Sequence, residues 1–153
     1  MERPALEDDF KEFLRLLNSH GVEYLLIGGH AVGHHGYPRS TADMDVWVGM
    51  SPENAERIVA ALLEFGFAAE TVSPAMFLED HQVVRIGVQP SRIEILTTIS
   101  GPSFTDCYPK RVRANLDGIE VPIIDLASLR ANKKAIGRLK DLADLENLPT
   151  EGT

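Results

Sequence analysis

The chain has little cysteine and no long apolar run, and each absence excludes a class of protein. Its 153 residues contain one cysteine, Cys107, which excludes an intramolecular disulfide and disfavours a cysteine-based zinc site. No apolar run approaches the roughly 20 residues that a membrane-spanning helix needs. The acidic amino-terminal residues also lack the apolar stretch of a signal peptide. These features predict a soluble, cytoplasmic protein without a membrane partner.

Basic residues are scarce relative to acidic ones. The net charge of −8 argues against sequence-independent binding of nucleic acid, which depends on neutralising phosphates. The charge is unevenly distributed, because residues 1–84 hold 5 basic and 14 acidic side chains whereas residues 85–140 hold 10 and 5. The basic middle region therefore either faces a phosphate-bearing substrate or is solvated surface that balances the acidic first half.

The composition is that of an ordinary globular domain. Hydrophobic residues make up 44% of the chain and charged residues 25%, a balance that excludes intrinsic disorder. The length suits one domain with a sizeable core. Because no repeat or long linker interrupts it, we predict a single domain over residues 1–153.

Hydrophobic spacing predicts helices and short strands in alternation. The predicted helices cover residues 5–19, 28–35, 52–65, 126–136 and 139–148. The predicted strands cover residues 22–27, 43–48, 83–88, 92–96, 111–116 and 119–123, with hairpin turns at 89–91 and 117–118. Residues 100–110 are predicted to be loop with at most a short turn, and the last helix is predicted to have an apolar edge of leucines at positions 139, 142, 145 and 148. The pattern indicates an α+β fold with a short mixed sheet of about five strands flanked by helices.

Three acidic residues form the candidate catalytic site. Asp43 and Asp45 lie two positions apart on a predicted strand, so their side chains share one face, and paired carboxylates suit a hard cation such as Mg²⁺. Glu94 lies between two isoleucines on another strand, where an acid is costly without a partner or a metal. Glu94 is therefore a candidate third metal ligand or catalytic base. The alternative is that these acids line a solvated strand face.

A glycine pair precedes the two aspartates. Gly28 and Gly29 follow a predicted strand and begin a helix, where free backbone N–H groups can bind a phosphate. Alone, such a pair is weak support, because glycines end many strands. Arg39 and Thr41 are candidates for contacting a triphosphate, and Thr41 shares the strand parity of Asp45. Arg39 could instead pair with an acid of the same site.

Two other polar patterns have simpler explanations. His30 and His34 are spaced to place two imidazoles on one helix face for zinc. Ala31 stands where metalloproteases have glutamate, so surface or capping histidines are favoured. Charged residues from Lys133 to Asp144 recur at helical spacing, and that spacing alone favours an exposed helix face with local ion pairs.

Taken together, these motifs resemble the minimal nucleotidyltransferases of the polymerase-beta-like superfamily. The likeness rests on Gly28-Gly29, Arg39-Ser-Thr-Ala-Asp43-Met-Asp45, Glu94, and Lys133 through Asp144. It covers roughly residues 20–148 and is nearest to the bacterial and archaeal group allied to the toxins of abortive-infection and toxin–antitoxin systems. The resemblance implies a nucleotidyltransferase fold whose short mixed sheet carries the carboxylate triad.

The resemblance also implies roles for individual residues. It implies Mg²⁺ at Asp43 and Asp45, with Glu94 in a third-acid position that is more often Asp. It places Lys133 near the nucleotide phosphates and Asp144 at a nearby helix acid. The implied activity is transfer of an NMP from an NTP such as ATP to a hydroxyl of RNA, protein or a small molecule. Larger relatives hold the acceptor with an extra helical domain, so a partner chain is a further expectation here. The alternative is a non-catalytic nucleotide-binding module or toxin–antitoxin partner with the same fold.

Overall fold

One six-stranded mixed sheet organises the fold. A computed structural model describes residues 7–37, 43–87 and 92–150. Within them the strands are β1 Tyr24–Ile27, β2 Met44–Val48, β3 Val83–Ile86, β4 Ile93–Leu96, β5 Val112–Leu116 and β6 Ile119–Ile123. The helices are α1 Asp8–Ser19, α2 Gly28–His34, α3 Pro52–Phe65, α4 Phe104–Cys107, α5 Leu126–Ile136 and α6 Leu139–Asn147. The predicted α+β class is confirmed, with six strands rather than about five.

The strand order is β3-β4-β2-β1-β6-β5. The central strands β1 and β2 are antiparallel, and each pairs in parallel with a strand of an outer hairpin, β1 with β6 and β2 with β4. The antiparallel pairing of both predicted hairpins is confirmed, β3 with β4 and β5 with β6, and the predicted turn at residues 89–91 lies outside the described residues. Asp117 and Gly118 have positive φ values of 51° and 89°, which is the backbone that a two-residue hairpin turn requires.

Side-chain caps mark the starts of α3 and α5. The Ser51 side chain accepts a hydrogen bond from the Asn54 amide at the start of α3, and Asp125 caps α5 in the same way through the Ser128 amide. These caps satisfy amide groups that have no partner inside the helix. The predicted first helix begins at Asp8, and its buried side includes the aromatic and leucine residues expected from the spacing, Phe10, Phe13, Leu14 and Leu17.

Two regions differ from the sequence prediction. Residues 100–110, predicted as loop, contain α4 and a 3-10 turn over Tyr108–Lys110. This short helix has a packing reason, because Phe104 lies edge-on against Trp47 with ring centroids 5.2 Å apart. Trp47 is 1% exposed, and its indole N–H donates to the carbonyl oxygen of Thr97 at 3.3 Å.

The prediction for α6 was largely wrong about its buried side. Leu139 is 87% exposed and Leu142 44%, although Leu148 just beyond the helix is buried. The residues that α6 buries are Asp141 and Asp144. Electrostatic pairing with α5, described below, overrides the leucine periodicity. No helix in the described part of the chain has the length and apolar character needed to cross a membrane.

Candidate functional site

Strand β2 divides its side chains between the core and an open cleft. Met44 and Val46 are fully buried, whereas Asp43 and Asp45 point to the opposite side and line the cleft. Trp47 shares the parity of the aspartates but is covered by Phe104 of α4. The sheet face is therefore closed at the Trp47 end and open at the aspartates, as the strand alternation predicted.

Asp45 and Glu94 are direct neighbours across the parallel pair of β2 and β4. Burial raises the pKa of Asp45 to about 6, and the charge of Glu94, a hydrogen bond with Glu94 and the charge of Asp43 act in the same direction. Lys133 opposes the rise. We call Asp43, Asp45 and Glu94 the carboxylate cluster. The raised pKa of Asp45 is what burial and neighbouring like charges together produce.

Gly28 is required where β1 meets α2. Its φ of +69° is unfavourable for other residues, and a Cβ placed on it would collide with the Asp45 carboxylate. The backbone of the glycine turn therefore approaches Asp45 with no side chain between them. A ligand in the cleft can touch this backbone and the carboxylates at the same time.

Within the described residues, two arginines contact the carboxylate cluster, and both were missed by the sequence prediction. Arg92 donates from Nη2 to Asp43 Oδ2 at 3.0 Å. Arg85 Nε lies 2.8 Å from Glu94 Oε2, and the two residues are cross-strand partners in the β3–β4 hairpin. Both pairs depend on strand register. A sequence signal existed for Arg92, which lies two positions before Glu94 in the predicted strand and so shares its face, whereas no local pattern pointed to Arg85.

A second group of charged residues joins α5 to α6. Lys133 Nζ lies 3.2 Å from Asp141 Oδ1 and 3.1 Å from Asp144 Oδ2. Arg138 Nε lies 2.6 Å from Asp141 Oδ2. We call these four residues the Lys133 cluster. Lys133 and both acids are buried, so the exposed helix face that spacing alone favoured is wrong for these three residues.

One cleft of about 580 Å³ brings most of the predicted site together. The predicted residues that line it are Gly28, Gly29, Asp43, Asp45, Glu94 and Lys133. Arg39 and Thr41 lie outside the described residues. Polar cleft residues that the sequence prediction did not assign to the site are Arg92, Thr98, Ser100, Asn132, Arg138 and Lys140. The volume is in the range typical of small-ligand sites.

The site's oxygen donors do not converge on one point. Among residues 7–37, 43–87 and 92–150, no three His, Cys, Asp or Glu side chains are arranged to hold a metal ion. For the carboxylate cluster the reason is visible, since Asp43 and Glu94 are turned to arginines. The histidine pair is packed locally, with His30 against Phe10 and His34 against His35.

Comparison with known proteins identifies the fold. No protein-family model matches the chain, and no curated protein matches it in sequence. In structure it is similar to a "putative nucleotidyltransferase" from Thermotoga maritima, with a TM-score of 0.58, 16% identity, and coverage of 90% of this chain and 88% of that one. It is also similar to an "antigenic nucleotidyltransferase-like protein" from Paracoccidioides brasiliensis, with a TM-score of 0.53, 17% identity, and coverage of 94% and 77%. The chain therefore has a nucleotidyltransferase-like fold.

Proposed function

We propose that this chain is a Mg²⁺-dependent nucleotidyltransferase that moves an NMP from an NTP to an acceptor hydroxyl. One observation carries the proposal: Asp45 lies beside Glu94 and against the Gly28 backbone, in a cleft that Lys133 also lines. The cleft thus brings together acids that would bind a cation, and a glycine turn and a lysine that would bind phosphates. The structural relatives support the proposal through the fold alone, because both are named as nucleotidyltransferases or nucleotidyltransferase-like.

The carboxylate cluster has the donor chemistry of a divalent-cation site, and Asp43 and Glu94 would turn from their arginines to share the ion. Its donors are carboxylate oxygens, which hard cations prefer, and the pKa of Asp45 is raised by burial and by the neighbouring charges of Glu94 and Asp43. Asp43, Asp45 and Glu94 would hold Mg²⁺. When bound, the ion would neutralise phosphate oxygens and stabilise the charge that develops during displacement.

The chain's own residues then have distinct tasks. The acceptor oxygen bonds to the α-phosphorus as the bond to the β-phosphate oxygen breaks, and pyrophosphate leaves. Glu94 accepts the proton of the acceptor hydroxyl. The Lys133 ammonium faces Asp141 and Asp144 and also lines the cleft, where it would donate to a phosphate oxygen. The glycine turn lets phosphates approach the backbone closely, because Gly28 and Gly29 carry no side chain.

The test is pyrophosphate release with each of the four NTPs and Mg²⁺. The assay uses a lysate cleared of this protein, which supplies acceptors, and the purified chain is then added back. We expect release with at least one NTP, lost in Asp45→Asn and kept in Asp80→Asn, a change at an exposed aspartate. Release that persists at the wild-type rate in Asp45→Asn would refute the proposed mechanism.

A second candidate function is a non-catalytic nucleotide-binding module or toxin–antitoxin partner. The observation that favours it is the exposure of Leu139 and Leu142 on α6, an apolar pair that a second protein could cover. Nucleotide binding without pyrophosphate release, together with a stoichiometric partner in the purified native protein, would favour this candidate over catalysis.

A further inference from the structure

A row of three charged side chains crosses three neighbouring strands. Arg85 on β3 is the register partner of Glu94 on β4, and Glu94 is the register partner of Asp45 on β2. Arg85 approaches Glu94 from the edge of the sheet, since β3 is the outermost strand on that side. One guanidinium thus lies at the end of a pair of crowded acids.

Arg85 differs from the other arginine of the site in its exposure. Its side chain is 59% exposed, whereas the Arg92 side chain is 28% exposed and lines the cleft. Ion pairs of exposed side chains are weak, because water solvates the separated charges well. The Arg85 guanidinium can therefore turn into water, whereas the Glu94 side chain, only 18% exposed, would keep its charge beside Asp45 and bind an ion in place of Arg85.

The geometry points to Arg85 as an internal competitor of the divalent cation. The Arg85 guanidinium pairs with the Glu94 carboxylate when the ion is absent. Binding of the ion to Glu94 displaces the guanidinium into solvent. Arg85 thereby lowers the affinity of the site for the ion. This inference rests on the metal site of the proposed function and adds a residue that controls how readily that site fills.

The test measures metal affinity directly, without activity. Full-length wild type and variants are titrated with Mn²⁺, and the free ion is measured by electron paramagnetic resonance. We expect Arg85→Gln to bind Mn²⁺ about three- to tenfold more tightly, a modest gain because solvent weakens the hold of the largely exposed Arg85 guanidinium on Glu94. The control is Arg113→Gln, which removes the same charge from a cross-strand pair with Glu120 at 3.3 Å, and we expect its affinity to be unchanged.

A second measurement follows the guanidinium itself. The Nε–H nuclear magnetic resonance signal of Arg85, assigned by its loss in Arg85→Gln, is expected to shift as Mg²⁺ is added and its hydrogen bond to Glu94 breaks. A signal that stays in place at saturating Mg²⁺ would overturn the inference.

The outcomes separate this inference from the proposed function. If wild type binds Mn²⁺ and Arg85→Gln binds it equally well, the competitor role is wrong and the metal site stands. If neither chain binds Mn²⁺, both the inference and the Mg²⁺-dependent function fall. Binding in Arg85→Gln alone would support the competitor role most directly.

Discussion

The two groups of charged side chains around the cleft differ in how their charges are balanced. In the carboxylate cluster three acids crowd together, and burial raises the pKa of Asp45. In the Lys133 cluster two acids face two cations within the chain. There burial also acts to raise the pKa of Asp141, but hydrogen bonds from Arg138 and Lys133 outweigh it and lower that pKa. The pKa of an aspartate side chain is thus raised at Asp45 and lowered at Asp141, at two places near one cleft.

This difference separates a cluster that the chain's own charges balance from one that a bound cation would balance. The buried part of the Lys133 cluster is neutralised by the chain itself, so its charges contribute to the junction of α5 and α6. At Asp45, burial and the charges of Glu94 and Asp43 outweigh the opposing charge of Lys133. Binding of a cation there would therefore be favourable. Acids that are destabilised in the folded chain are a reason to expect a ligand.

Removing Lys133 should have the largest effect on stability. Lys133→Met leaves Asp141 and Asp144 buried without their shared cation, and we expect the free energy of unfolding to fall by about 3–5 kcal/mol. Urea denaturation measures the change, with Lys134→Met as the control because Lys134 is exposed. Adding Asp141→Asn and Asp144→Asn to Lys133→Met should recover part of the loss. A loss below 1 kcal/mol, roughly the ceiling for an exposed pair, would contradict the structural role.

Replacing Asp45 should raise the free energy of unfolding, the opposite of the effect expected at Lys133. Because its pKa is raised to about 6 from 3.8, the folded chain binds this proton more tightly than the unfolded chain does. That stabilisation is fully present below about pH 4 and is lost as the pH rises through about 6. Asp45→Asn should therefore raise the free energy of unfolding at pH 7.5 by up to about 3 kcal/mol. The gain should vanish below about pH 4.

Denaturation of wild type, Asp45→Asn and Asp80→Asn across this pH range checks the prediction. Without divalent cations, the Asp45→Asn gain should appear only on the neutral side, and Asp80→Asn should follow wild type throughout. A variant that is equally stable to wild type at pH 7.5 would show that the carboxylate cluster is not under electrostatic strain.

A glycine beside each cluster allows a smaller, matched comparison. Gly28 and Gly137 have almost the same φ, +69° and +72°. A Cβ at Gly28 would collide with Asp45, whereas one at Gly137 meets only the Lys134 carbonyl oxygen at an ordinary 3.6 Å. We expect Gly137→Ala to cost about 1 kcal/mol from backbone strain and Gly28→Ala about 2 kcal/mol. Equal losses in urea denaturation would show that the glycine turn does not press on the carboxylate.

Local patterns predicted the part of the site that local geometry determines. Strand alternation was sufficient to place Asp43 and Asp45 on one face and Glu94 opposite its flanking isoleucines. The glycine pair marked the turn beside them. Each of these inferences needs only the few residues around it, so no knowledge of the distant chain was required.

The features that the sequence did not predict all depend on contacts between distant segments. Arg85 and Arg92 reach the acids only through the pairing of β3, β4 and β2. The leucines of α6 suggested a buried apolar edge, but Asp141 and Asp144 turned inward because Lys133 lies on the facing helix. A prediction from hydrophobic periodicity considers one helix at a time, so it cannot account for a buried cation on a neighbouring helix.

The position of Trp47 has a practical consequence. It is the only tryptophan in the chain, it lies two residues from Asp45 on the same strand, and its ring is held by Phe104 and the Thr97 carbonyl. The chain thus carries a built-in fluorophore two residues from Asp45, which lines the cleft. Its emission spectrum offers a label-free signal through which filling of the cleft and loss of the fold can be followed on the unmodified protein.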